Sequence, residues 1–186
     1  MTTTSFSCGV TGHYVSQWES KPKSRKFGQG PIWEMPSDFC ILEFEPTGSR
    51  KMWTYATCGM AELPARPVEL HLFSPVECDG HIELLTALAH YHRTGEPVGL
   101  GHTVNFGRPW LPGSACNHGL ISLPYLDGRS LEEFRLAGVG SIHFLWLIPI
   151  TQSEREYKMT FGLEALEEKF DAAKLDYLNP CRPSVI

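Results

Sequence analysis

Hydrophobic and polar positions alternate with a period of two in several stretches of this chain and with a period near 3.6 in others. Val68, Leu70 and Leu72 interleave with Glu69, His71 and Phe73, the pattern of a strand with one wetter face, which makes His71 a solvated or hydrogen-bonded side chain on the outer side. Residues 39–45 (FCILEFE) and 52–58 (MWTYATC) are rich in β-branched and aromatic types. Pro46-Thr-Gly-Ser between them predicts a hairpin. Residues 141–150 (SIHFLWLIPI) are apolar on both faces, which predicts a central strand covered on both sides and makes His143 a core histidine. Residues 120–125 (LISLPY) read as a further strand, with Pro124 at an edge or terminus.

Asp79–Arg93 carries the clearest helical signal. Ile82, Leu85, Leu88 and Ala89 share one face, Asp79 stands at the N-cap position, and Gly95 terminates the run. Thr151-Gln-Ser-Glu154 is a capping-box pattern that opens another helix, and Thr160 is placed to cap a third, through Asp171, with Leu163, Leu166 and Phe170 inward. At the other end, residues 1–12 look like a loose start, and a short helix is expected over His13–Glu19, with Tyr14 and Trp18 at i,i+4 spacing. Lys21, Lys23, Arg25 and Lys26 then form a solvated basic connector before a turn at Gly28, Gly30 and Pro31. There is no internal repeat and no linker between two cores. The expectation is α+β: a single domain with a central mixed, largely antiparallel β-sheet covered by α-helices. Residues 1–29 form a helical or loose N-terminal segment and 30–183 the domain proper.

The 186 residues suffice for one well-buried domain. A formal charge of −5 argues against broad nucleic-acid binding, which needs Lys and Arg to neutralise phosphates. No stretch is apolar and long enough to span a bilayer, and residues 1–7 lack a signal-peptide pattern, so a cytoplasmic location is expected. Six scattered cysteines without a CxxC pair are then expected to be free thiols.

Candidate chemistry concentrates between Gly101 and Leu126 (GHTVNFGRPWLPGSACNHGLISLPYL). Cys116 and His118 share a face if they lie on a regular strand, and with His102 they would offer three metal ligands or a thiol–imidazole pair. No zinc-ribbon or HExxH spacing supports a metal, and a polar turn before a strand explains Cys-Asn-His-Gly without catalysis. His90 and His92 project about 200° apart on a helix and do not converge on one ion. There is no GxSxG elbow or phosphate loop. No catalytic residues, metal or cofactor are assigned. The binding reading fits the segment better. Asn105, Arg108 and Trp110, with His102 and His118, would form a partner-contact surface on a backbone stiffened by Gly and Pro; the alternative is that Phe106 and Trp110 fold back onto the core edge.

The ordered blocks carry a family resemblance. Tyr55-Ala-Thr-Cys-Gly-Met-Ala-Glu, Pro67-Val-Glu-Leu-His-Leu-Phe, the helix ending Ala-His-Tyr-His-Arg-Thr-Gly and Gly101-His-Thr-Val-Asn-Phe-Gly resemble consecutive blocks of the Suppressor of fused-like domain family, bacterial single-domain type. So do His118-Gly-Leu-Ile-Ser-Leu-Pro, Phe144-Leu-Trp-Leu-Ile-Pro-Ile-Thr with Glu154, and Gly162-Leu-Glu-Ala-Leu-Glu. The resemblance implies a fold like the N-terminal domain of animal Suppressor of fused, a non-enzymatic binder of Gli-type transcription factors. The second domain that closes around the peptide has no room in 186 residues, so that function is not carried over. Bacterial members are associated with polymorphic toxin systems as immunity proteins. The implied function is a protein-binding module with a protein partner, possibly a toxin domain, and with neither nucleic acid nor membrane. The rival readings are a small thiol- or metal-dependent enzyme using His102, Cys116 and His118, and a scaffold domain without a dedicated ligand.

Overall fold

The computed structural model describes residues 3–30, 34–61, 67–138 and 140–186. Pro31, the last residue of the turn expected at 28–31, and Glu62, in the first resemblance block, lie outside them. The elements run α1 (Thr3–Trp18), β1 (Lys23–Arg25), β2 (Cys40–Phe44), β3 (Trp53–Cys58), β4 (Val68–Ser74), α2 (Asp79–Thr94), β5 (Thr103–Asn105) and β6 (Cys116–Ser122). They continue with α3 (Arg129–Glu132), β7 (Glu133–Leu136), β8 (Gly140–Thr151), α4 (Gln152–Phe161) and α5 (Leu163–Ala173). One eight-stranded sheet has the order β1-β2-β3-β4-β8-β6-β5, with β7 also pairing β8. Among the described residues only β4–β8 is parallel, so the sheet is mixed and largely antiparallel, as its patterning predicts. Among the described residues, no helix is long and apolar enough to cross a membrane.

Both faces of the sheet are covered. On one, α2 packs Ile82, Leu85 and Ala89 against Ile41, Tyr55, Leu70, Leu72, Leu145 and Leu147. On the other, α1 lays Phe6, Val10, Tyr14 and Trp18 over Leu42, Phe44, Ala56 and Phe144. Beside it α5 packs Leu166 and Phe170 over Phe73, Leu120, Trp146 and Ile148. The β2–β3 hairpin, the two-faced burial of β8 and the α2 boundary at Gly95 agree with the sequence reading.

Several local expectations are corrected. The start of the chain is not loose: a helix runs from Thr3, because Phe6 and Val10 extend the Tyr14–Trp18 stripe by whole turns onto the sheet. The basic run is not a solvated connector but the edge strand β1, where Arg25 donates to the buried Glu43 carboxylate at 2.7 Å. His71 is fully buried rather than solvated, since α1 covers the face that alternation assigned to water. His143 is exposed rather than core, near the start of β8, where the register partners are Val68 and Glu133. Cys78, not Asp79, is the N-cap of α2, and no side chain caps it. The Thr151–Glu154 capping box is present. Thr160 does not cap α5, however. It lies inside α4, and the break falls at Gly162, whose φ of 95° is in the left-handed region that favours glycine.

Candidate functional site

Residues 101–126 wrap the sheet edge. β5 pairs with β6, placing Thr103, Val104 and Asn105 opposite Leu120, Gly119 and His118. Among the described residues β5 pairs with no other strand, so its outer edge is open. The following loop is pinned inward. Asn105 Oδ1 accepts the Gly107 amide at 2.8 Å, which tightens the turn. Arg108 Nη2 donates to Glu83 Oε2 at 2.6 Å and to the Gly80 carbonyl at 3.2 Å, bridging the loop to the start of α2. Trp110 is 5% exposed; its indole N–H donates to Ser114 Oγ at 2.9 Å, and its ring stacks on His81 at 5.7 Å. Of the five residues expected to face a partner, Asn105, Arg108 and His102 are on the surface, while Trp110 fills the core edge beside α2 and His118 is buried.

The three residues of the enzyme reading are not gathered into one site. The β6–β8 register shifts between Cys116 and His118, and that irregularity puts them on opposite faces. Cys116 joins the α2-side core, 1% exposed, and burial pushes its thiol up, the reverse of what a thiolate nucleophile needs. His118 shares the Leu120 face and sits near Arg155 and Glu156 of α4; its Nδ1 hydrogen-bonds Asn117 at 2.8 Å, and burial lowers its pKa. His102 is exposed. Among the described residues no three His, Cys, Asp or Glu side chains are grouped to hold a metal.

A further cavity lies elsewhere, and the sequence reading assigned it no role. A groove of about 570 Å³ lies between α5 and the turn after β6. Its floor is apolar and aromatic, built from Trp146, Ile148, Phe170 and Tyr177. Its rim carries Glu164, Glu167, Glu168 and Asp171 against one cation, Lys174. Ser122 Oγ donates to Glu167 at 2.6 Å and Tyr125 Oη at 3.2 Å, which ties the turn to α5. Tyr125 and Leu126, 57% and 47% exposed, stand at its mouth. The indole N–H of Trp146 has no acceptor among the described residues. The helical spacing of Glu164, Glu167, Glu168 and Asp171 is visible in the sequence, but only the fold shows that they border a groove instead of plain solvent.

The family model for Suppressor of fused protein (SUFU) matches residues 36–183. The chain belongs to the Suppressor of fused family. A Suppressor of fused homolog from Neisseria gonorrhoeae is 35% identical, with a TM-score of 0.86 over 98% of each chain. The Suppressor of fused structure solved as the Sufu–Fu complex is 13% identical, with a TM-score of 0.69 over 95% of this chain and 90% of that one. Drosophila Suppressor of Fused has the same identity and TM-score, over 95% of this chain but 50% of its own length. These two distant relatives share the fold, and this chain spans half of the Drosophila protein. A search of the curated proteins finds no match to the sequence.

Proposed function

We propose that this Suppressor of fused domain is a non-enzymatic protein-binding module, and that its groove between α5 and the 122–126 turn receives a basic segment of a partner protein. The observation that carries this reading is the pairing of an aromatic floor with a rim of four carboxylates and one lysine. Such a rim attracts Lys and Arg side chains, while the aromatic faces give their cations and aliphatic stems a surface to pack on. The exposed Tyr125 and Leu126 at the mouth supply apolar area of the kind that anchors an interface. A distant relative was solved as the Sufu–Fu complex, which supports a binding role for the fold. The partner class we infer, on the family resemblance alone, is a toxin, which the domain would neutralise as its immunity protein.

A second surface is favoured by one observation, the open edge of β5. A groove of about 380 Å³ runs between that edge and α2, lined by Leu84, Tyr91, Val104 and Phe106 among others. An extended peptide could add there as a strand. Asn105 lines that groove, and the exposed Arg108 follows it on the same loop.

The test is co-expression and co-purification with toxins encoded beside the gene. The expected result is a stable complex and rescue of growth. The triple variant Glu164→Lys/Glu168→Lys/Asp171→Lys should weaken binding by roughly tenfold or more at low salt. Unchanged affinity in a folded triple variant would exclude the groove. Loss of affinity on Asn105→Pro would then locate the partner at the β5 edge. Absence of binding and rescue with every adjacent toxin would sink the immunity reading.

A further inference from the structure

We propose that Cys40 and Cys58 form a reversible disulfide by exchange with an oxidised low-molecular-weight disulfide of the glutathione class, which makes the β2–β3 pair a redox modification site. The two residues are direct partners in the antiparallel register of β2 and β3. Both point into the cluster beneath α1, so their side chains are on the same face. Opposite positions of an antiparallel pair bring β-carbons about 4.5–5.5 Å apart, and a disulfide needs roughly 3.5–4.5 Å, so a shift of about 1 Å closes the bond without breaking the ladder. The other four cysteines have no such neighbour in register: Cys116 faces Thr151, and Cys8, Cys78 and Cys181 lie outside the strands.

The two thiols also differ in the way exchange requires. Cys40 is held acidic, at about 6, first by its hydrogen bond from Cys58 and then, against burial, by Ser24 and the nearby Lys26 ammonium. Cys58 is pushed up by that same hydrogen bond, by burial and by the Glu69 charge. Cys40 is therefore the attacking sulfur and Cys58 the resolving one. Access to Cys40 comes from the sheet edge. The β1 register ends with Arg25 opposite Ile41, one residue short of Cys40, so β1 does not cover Cys40 at that edge.

The steps balance. The Cys40 thiolate attacks one sulfur of the oxidised disulfide, forming a mixed disulfide and releasing one small thiolate. Cys58 gives up its proton to solvent and attacks the Cys40 sulfur, and the second small thiolate leaves and takes up a proton. Two protein thiols are oxidised and one small disulfide is reduced to two thiols. Cys58 Sγ contacts the Ser7 carbonyl at 3.6 Å and Thr11 Oγ1 at 3.7 Å, so moving that sulfur into the cross-link loosens contacts between β3 and α1.

The experiment treats the folded, reduced wild-type protein with glutathione disulfide, quenches with acid, and maps peptides by mass spectrometry under non-reducing conditions. The expected product is a Cys40–Cys58 cross-linked peptide that reduced glutathione reverses, with faster hydrogen exchange in α1. Cys58→Ser should instead stop at a glutathione adduct on Cys40. Adducts confined to the exposed Cys8 and Cys181, or a wild-type protein that stays at the Cys40 adduct, would overturn the proposal. Both readouts on the wild type are independent of whether a variant folds.

Discussion

Arg182 and Glu154 form a buried two-pronged ion pair that fastens the segment after α5 to the start of α4. Arg182 Nη1 donates to Glu154 Oε1 at 2.6 Å and Nη2 to Oε2 at 2.8 Å. The remaining capacity is used as well. The Thr151 and Val185 amides donate to the same carboxylate at 2.8 and 3.0 Å, and Arg182 donates to the Pro149 carbonyl at 3.0 Å. Burial alone would raise the Glu154 pKa, but the Arg182 hydrogen bond, the backbone donors and the Arg182 charge outweigh it and hold it below the usual carboxylate value. Arg182→Ala leaves that carboxylate buried without its counter-charge and is expected to cost about 3–5 kcal/mol. Arg182→Ala/Glu154→Gln should cost less than the single variant, because the stranded charge is gone. Urea denaturation of the three proteins checks both statements.

Three buried groups give stability a pH dependence with two opposing limbs. Burial raises Glu69 to about 7, against the donors Thr57, Ala61 and Gly59. The folded state then holds this proton more tightly than the unfolded one, so Glu69's contribution is full below about 4.5 and is lost as pH rises through about 7. Burial, with the charges of Arg50 and Arg108 respectively, lowers His71 to about 3 and His81 to about 4. Here the unfolded state takes the proton first, so stability falls as pH drops below 6.5 toward those values. Glu69→Gln should flatten the alkaline limb while keeping the hydrogen bonds, since the Gln oxygen can accept the Gly59 and Ala61 amides and the Thr57 hydroxyl can turn to accept from its amide. His71→Phe should flatten the acid limb. Midpoints of thermal unfolding between pH 4 and 8 would reveal each loss; an unchanged profile for either variant would refute its assignment.

These same residues mark how far the sequence could be read. Strands, the α2 boundary and the Thr151 capping box are local signals, set by alternation, by a terminating glycine and by a four-residue pattern. His71 and Glu69 mislead because alternation reports polarity, not coverage; α1, distant in sequence, and the 59–61 turn bury that face. The Cys116–His118 face relation failed on one inserted register step, which leaves no trace in residue types. The Arg182–Glu154 clasp joins positions 28 residues apart through a Pro-broken segment, so nothing local announces it. The acidic rim is visible as residues but not as a groove, because its floor comes from β8, α5 itself and the segment after α5.

Arg108 and Trp110, two residues apart in the same loop, should separate cleanly. Arg108 pairs with Glu83 at an exposed site, 49% and 43% exposed, where such a bridge contributes up to about 1 kcal/mol. Trp110 is packed on His81 and Leu111, and Trp110→Ala is expected to cost about 3–5 kcal/mol. Equal, small costs for the two variants in denaturant titration would mean that the Trp110 side chain is not part of the core. Any loss of partner binding in Trp110→Ala therefore has to be read against its folding, whereas a loss in Arg108→Ala reports the surface directly.

Gly119 is a close-approach position rather than a turn. It lies inside β6, opposite Val104 and Pro149, and a β-carbon there would meet Leu147 Cδ1 and Phe106 Cζ, both at 2.6 Å. Phe106 is the residue that crosses over the strand where the 105–113 loop leaves β5, so the missing side chain is what allows the loop to lie flat on the sheet. Gly119→Ala forces Phe106 or Leu147 off its rotamer and is expected to destabilise by about 1–3 kcal/mol. The strain should be relieved in part by Phe106→Leu in the same molecule, because the contact atom at the ring tip is then gone. A double-mutant cycle measures that coupling. Additive effects of Gly119→Ala and Phe106→Leu would show that the cost arises in the β6 backbone and not from the ring that Gly119 accommodates.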